Sequence, residues 1–73
     1  MIRYKLAELM AKMQFESGTR LAIQDVAEGT GVNRMTISKI LNQRGYTTGL
    51  DTIDRLCTFF NCKIEDLIEH VPD

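Results

Sequence analysis

The stretch that decides the fold is Ile23 to Asn42, IQDVAEGTGVNRMTISKILN. A short helical pattern runs into Gly31, then Asn33, and a second helical pattern follows. Ala27 is small, as two closely crossing helices require. Gly31 can take φ > 0, which a sharp exit from a helix favours. Asn33 can cap the next helix by accepting a backbone N–H, and Val32 and Ile37 stand at the positions of a hydrophobic staple. Ile37, Ile40 and Leu41 follow the i, i+3, i+4 rule of one buried stripe. At about 100° per residue, Met35, Lys39 and Asn42 point the other way, flanked by Thr36 and Ser38. Arg34 lies nearer the buried side, but it is in the first turn and its side chain is long. Val26, Ala27, Gly31, Val32, Ile37 and Ile40 therefore fall where a helix-turn-helix needs them. Such a unit exposes the start of its second helix to the major groove of DNA on a rigid support. The competing reading is an ordinary helical hairpin in a small bundle.

Outward from this stretch, Tyr4 to about Phe15 reads as a first helix with Leu6, Leu9, Met10 and Met13 as its apolar stripe. The chain's four methionines fit gap-filling core better than an adaptable binding surface. Glu16-Ser17-Gly18-Thr19 ends it with turn chemistry. The second helix runs from about Ile23 to Glu28 and the third from Arg34 to about Asn42. Gln43 to Gly49 is a loop. Arg44, Tyr46, Thr47, Thr48 and the amides beside Gly45 and Gly49 either sit on phosphates or form a solvated turn. Thr48 with Asp51 suggests a capping box for a fourth helix. Its inner stripe is Leu50, Ile53, Leu56, Cys57 and Phe60, and Asn61 is its left-handed stop. A fifth helix spans Ile64 to about Glu69, with Ile64, Leu67 and Ile68 buried. The expected fold is an all-α, compact five-helix bundle with a central helix-turn-helix. Met1-Ile2-Arg3 and His70-Val71 leave short terminal strands open, paired within one chain or across a dimer.

The 73 residues are read as one domain over 1–73. A chain this short buries little more than ~60% of its unfolded surface, so dimerisation would help it. It lacks a membrane-length apolar run and a signal-peptide pattern, and the default expectation is a soluble cytoplasmic protein. The net charge of −1 hides a division. Residues 1–28 are neutral, residues 29–50 carry Arg34, Lys39 and Arg44 with no acid, and residues 51–73 sum to −4. A chance gap of acids is one explanation. The other is a face that approaches a polyanion. Few Lys and Arg mean few neutralised phosphates, which argues for a dimer reading two half-sites about one helical turn apart.

Cys57 and Cys62 read as core thiols, Cys57 because it lies on the apolar stripe of the fourth helix. Together with His70 they lack zinc spacing. We expect no catalytic residues, no metal, no cofactor and no small-molecule ligand, because no nucleophile–base pair, phosphate loop or cofactor fingerprint is present.

The segments VAEGTGVNRMTISKILN at 26–42 and LDTIDRLCTFFNCKIEDL at 50–67 resemble the Cro/C1-type (XRE-like) helix-turn-helix proteins of bacteria and phages. The resemblance covers about Leu21 to Leu67. It implies a lambda-repressor-like fold of five packed helices, duplex DNA as partner, homodimerisation and a role as transcriptional repressor or regulator. It is closest to the minimal class in which the DNA-binding domain is the whole protein. Carried over by position, it implies base contacts from Arg34, Met35 and Lys39. Arg34 and Lys39 suit guanine O6 and N7, and Met35 suits a thymine methyl. Thr36 and Asn42 would contact phosphate or a base, and Gln24, Asn33, Ser38, Arg44, Tyr46 and Thr47 complete the candidate surface. The chain departs from the family at four places. Ala22 and Ile23 replace a capping Ser or Thr and a Gln, with Gln24 one step late. Thr30 stands where a buried Leu is normal. The link from Met13 to Leu21 is longer, and Thr48-Gly49 replaces a Pro before the fourth helix. The alternative function is an antitoxin-like or adaptor module that uses the scaffold to bind another protein. The acidic C-terminal third and Met35 favour that alternative.

Overall fold

In a computed structural model that describes residues 1–72, the elements follow as β1 (Ile2–Tyr4), α1 (Leu6–Ser17), α2 (Ile23–Thr30), α3 (Arg34–Asn42), α4 (Leu50–Phe60), α5 (Ile64–Leu67) and β2 (Ile68–His70). Each helix sends one fully buried side chain to a common centre: Leu6, Val26, Ile37, Leu56 and Leu67. Met10, Val32, Ile40 and Ile53 complete the core. Burying each such side chain is worth about 1.5–3 kcal/mol. Helix α2 packs on both α3 and α4, and α4 packs on α5.

The ends of the chain depart from the helical expectation. Tyr4 is not helical, because residues 2–4 are extended and pair antiparallel with residues 68–70 in the register Ile2↔His70, Arg3↔Glu69 and Tyr4↔Ile68. The pairing lies within one chain. It starts α1 at Leu6 and stops α5 at Leu67, where Ile68 turns extended at φ −130° and ψ 154°. A backbone bond from the Lys5 amide to the Leu67 carbonyl (2.7 Å) continues the junction. Arg3 locks it from outside. Its Nε donates to Glu69 at 2.6 Å, and Nη1 and Nη2 donate to Glu8 at 2.9 and 3.0 Å.

The long link after α1 is held by local bonds. Gly18 takes φ 69° and donates its N–H to the Gln14 carbonyl. The Thr19 amide reaches Ser17 Oγ, and the Leu21 amide reaches Gln14 Oε1 at 2.7 Å.

Three helical expectations need correction. Helices α1 and α2 run on to Ser17 and Thr30, beyond the expected Phe15 and Glu28. The Thr48–Asp51 capping box does not form: Gly49 precedes α4 with no side-chain cap, and Asp51 is taken by Arg55 Nε at 3.0 Å. Leu50 is 78% exposed and Ile64 48% exposed, although both were expected inside. Each is the first residue of its helix, so it stands beyond the core layer that Ile53, Leu56 and Leu67 reach. Cys57 and Cys62 are half-buried at the end of α4. There Asn61 adopts φ 50° and the Cys62 amide bonds back to the Cys57 carbonyl, a Schellman closure.

Candidate nucleic-acid interface

The turn between α2 and α3 fixes where the second helix begins. Gly31 takes φ 74° and its N–H bonds to the Ala27 carbonyl at 2.9 Å. Thr30, in the place of a Leu, makes a polar turn: its hydroxyl donates to the Val26 carbonyl at 2.7 Å and accepts the Val32 amide at 3.1 Å. Arg55 then donates from Nη1 to the Thr30 carbonyl at 3.3 Å, tying α4 to the turn. Gly29 allows α2 and α4 to approach, since a Cβ there would lie 2.2 Å from Phe59 Cε1. Arg55 and Gly29 were not expected to matter. The Asp51–Arg55 spacing of i, i+4 is visible in sequence, whereas the reach of either residue to another helix is not.

Helix α3 starts as its sequence predicts. Asn33 Oδ1 accepts the Met35 amide at 2.7 Å. Val32 and Ile37 are both buried as a staple. With Ile37 and Ile40 in the core, the opposite side is open: Asn42 is exposed and Met35 is 64% exposed, while Arg34 in the first turn and Arg44 just past the helix are exposed as well. Thr36, Ser38 and Lys39 are half-buried along its edges. The Lys39 ammonium lies 5.9 Å from the centroid of the Tyr46 ring, over its face. Thr47 is exposed, and Tyr46 packs against the core cluster.

Some expected contacts are already engaged within the chain. Asn42 Nδ2 donates to the Ser38 carbonyl at 3.0 Å and to Ser38 Oγ at 3.3 Å, so it must rotate before donating elsewhere. Gln24 Nε2 donates to Glu28 Oε1 at 3.0 Å, which places a carboxylate beside that amide. At the start of α2, Asp25 Oδ2 accepts the Ala22 amide at 2.8 Å. Asp25 thus supplies the acidic half of a capping box where Ala22 has no oxygen to offer. Its charge suits the helix dipole and competes with a phosphate there. The structure therefore gathers Asn33, Arg34, Met35, Lys39 and Tyr46 around α3 and leaves Gln24 occupied on α2.

The Cro/C1-type HTH DNA-binding domain family matches residues 5–73. The chain belongs to that family. No curated protein and no solved structure matches the chain. As a Cro/C1-type domain, the chain is a DNA-binding regulator built on helices, with β1 and β2 joining its two ends. Among the described residues, no helix is long and apolar enough to cross a membrane.

Proposed function

We propose that residues 1–73 act as a single-domain, sequence-specific repressor of transcription, working as a homodimer in the cytoplasm with α3 in the major groove of duplex DNA. The observation that carries this reading is the first turn of α3. Arg34 and Met35 stand clear of the protein there, while Ile37 and Ile40 anchor the same helix in the core. Arg34 and Lys39 read guanine O6 and N7, and Met35 meets a thymine methyl. Thr36, Ser38 and Asn42 lie at the groove edge. Asn33 through its amide nitrogen, Arg44, Thr47 and, once released from Glu28, Gln24 are the candidates for phosphate, while the Tyr46 ring lies under the Lys39 ammonium. The acid-free segment 29–50 supports this orientation, and the acidic residues of 51–73 favour an approach away from α5. Ile2 and Ile64, 42% and 48% exposed, offer apolar surface at the termini and α5 for a second copy.

Changing Arg34→Ala together with Lys39→Ala tests the assignment. The account expects loss of DNA binding with an unchanged circular dichroism spectrum and melting temperature. Full affinity in the double variant would contradict it. The exposed Met35 also favours the second reading, an antitoxin-like or adaptor module for another protein. That reading gains if the parent's own DNA binding is weak, vanishes by physiological salt and enriches no sequence.

A further inference from the structure

The loop after α3 does more than follow the helix. Gly45 at φ 77° turns the chain, and the Tyr46 amide closes the turn on the Gln43 carbonyl at 3.2 Å. The Tyr46 ring packs against the core cluster and lines an apolar groove with Tyr4, Leu50 and Ile53. The ring is thus a fixed plate, and the Lys39 ammonium lies over it at 5.9 Å. Lys39 makes no ion pair among the described residues. A lysine has a flexible four-carbon stem, so whatever restrains it decides how much entropy a base contact costs.

We propose that Tyr46 is a positioning residue for DNA reading. Its ring holds the Lys39 ammonium by a cation–π contact, and its hydroxyl is not needed at a phosphate. The proposal rests on the reading of α3 as the recognition helix and deepens it. Preorganising Lys39 raises affinity for the base that Lys39 meets and sharpens the choice there. Exposed contacts of this kind correspond to about a two- to fivefold change in binding.

The test uses the full chain as parent, Tyr46→Phe, Tyr46→Leu, Lys39→Ala, Arg34→Ala and the Lys39→Ala/Tyr46→Leu pair. Each is bound to a duplex site selected by the parent, and each is reselected from random duplexes. A DNA-free measurement accompanies it: the proton shifts of the Lys39 ε-methylene, which ring currents displace. Tyr46→Phe should keep the shift, the affinity and the base preference. Tyr46→Leu should lose the shift, weaken binding about two- to fivefold and relax preference at one base position per half-site. With Lys39→Ala already present, Tyr46→Leu should add nothing. Loss of affinity in Tyr46→Phe would overturn the proposal, because the hydroxyl then matters directly. An equal loss from Tyr46→Leu with and without Lys39 would also overturn it. If Lys39→Ala and Arg34→Ala both leave affinity and preference intact, the recognition-helix reading fails and the proposal falls with it. An effect of both single changes alongside a silent Tyr46→Leu overturns the proposal alone.

Discussion

A Cβ at Gly29 would stand 2.2 Å from Phe59 Cε1 and 2.7 Å from Cδ1, closer than any packed contact tolerates. Gly29→Ala should therefore destabilise the fold by about 1–3 kcal/mol. A thermal or urea melt would show it, and Phe59→Leu in the same chain should recover part of the loss. Asn33 makes a different contribution. Removing its oxygen from the Met35 amide should cost about 1 kcal/mol, while Asn33→Asp keeps the cap. Asn33→Asp should nonetheless bind DNA less well, since it sets a carboxylate beside Arg34, and a melt paired with a binding curve separates the two effects. These two residues differ in how far the sequence reveals them. The Asn33 cap is local, so its spacing to Gly31, Val32 and Ile37 displays it. The partner of Gly29 comes from another helix, and no short spacing encodes that.

The same contrast holds for Cys62. Its place after the left-handed Asn61 is legible, but its chemistry depends on what surrounds it. Burial, with help from the neighbouring Cys57 thiol, pushes the Cys62 thiol up to about 11. The thiolate is the reactive form. Alkylation of Cys62 in the folded protein should be slow at pH 8 and rise steeply toward pH 11, as mass mapping after iodoacetamide would record. Because the folded value lies above the ordinary 9.0, the stabilising contribution is present below pH 9 and is lost as pH climbs through about 11.

At the scale of elements, the helix-turn-helix was legible and the ends of the chain were less so. Helix α3 begins and ends where its periodicity places it. Residues 2–4 and 68–70 have too few positions for a strand period to declare itself, and each borders a helical pattern that can absorb it. Their pairing is a tertiary event, fixed by Arg3 between Glu8 and Glu69. Arg3 holds the Glu8 carboxyl below its ordinary 4.5. The pair thus stabilises the sheet above pH 4.5, and that contribution fades as pH falls through the lower folded value. Arg3→Ala should lower the melting temperature at pH 7 and narrow its gap to the parent as the pH drops below 4. High salt should shrink the same gap, since all three side chains are exposed. Leu50 and Ile64 misled the sequence reading for a related reason. A stripe extrapolated to the first residue of a helix ignores where the core layer ends.

For the whole molecule, the division of charge decides more than the total. A net −1 would discourage a DNA-binding reading, yet the acids leave 29–50 empty and the exposed side of α3 lies within that segment. The candidate site was legible as a set of outward residues. What the sequence could not reveal is which of them the fold already employs, as with Gln24 on Glu28, Asn42 on Ser38 and Lys39 on Tyr46. Three basic side chains on this segment leave each copy with few phosphates to neutralise, so the account requires two copies on one duplex. The most direct test is selection of random and genomic duplexes by the purified protein over a salt series, with sequencing of what remains bound and a parallel measure of stoichiometry. The account predicts an enriched two-fold symmetric motif, half-sites about one helical turn apart, two chains per duplex and affinity that falls steeply with salt. Weak binding that disappears by physiological salt, with no sequence enriched, would contradict it.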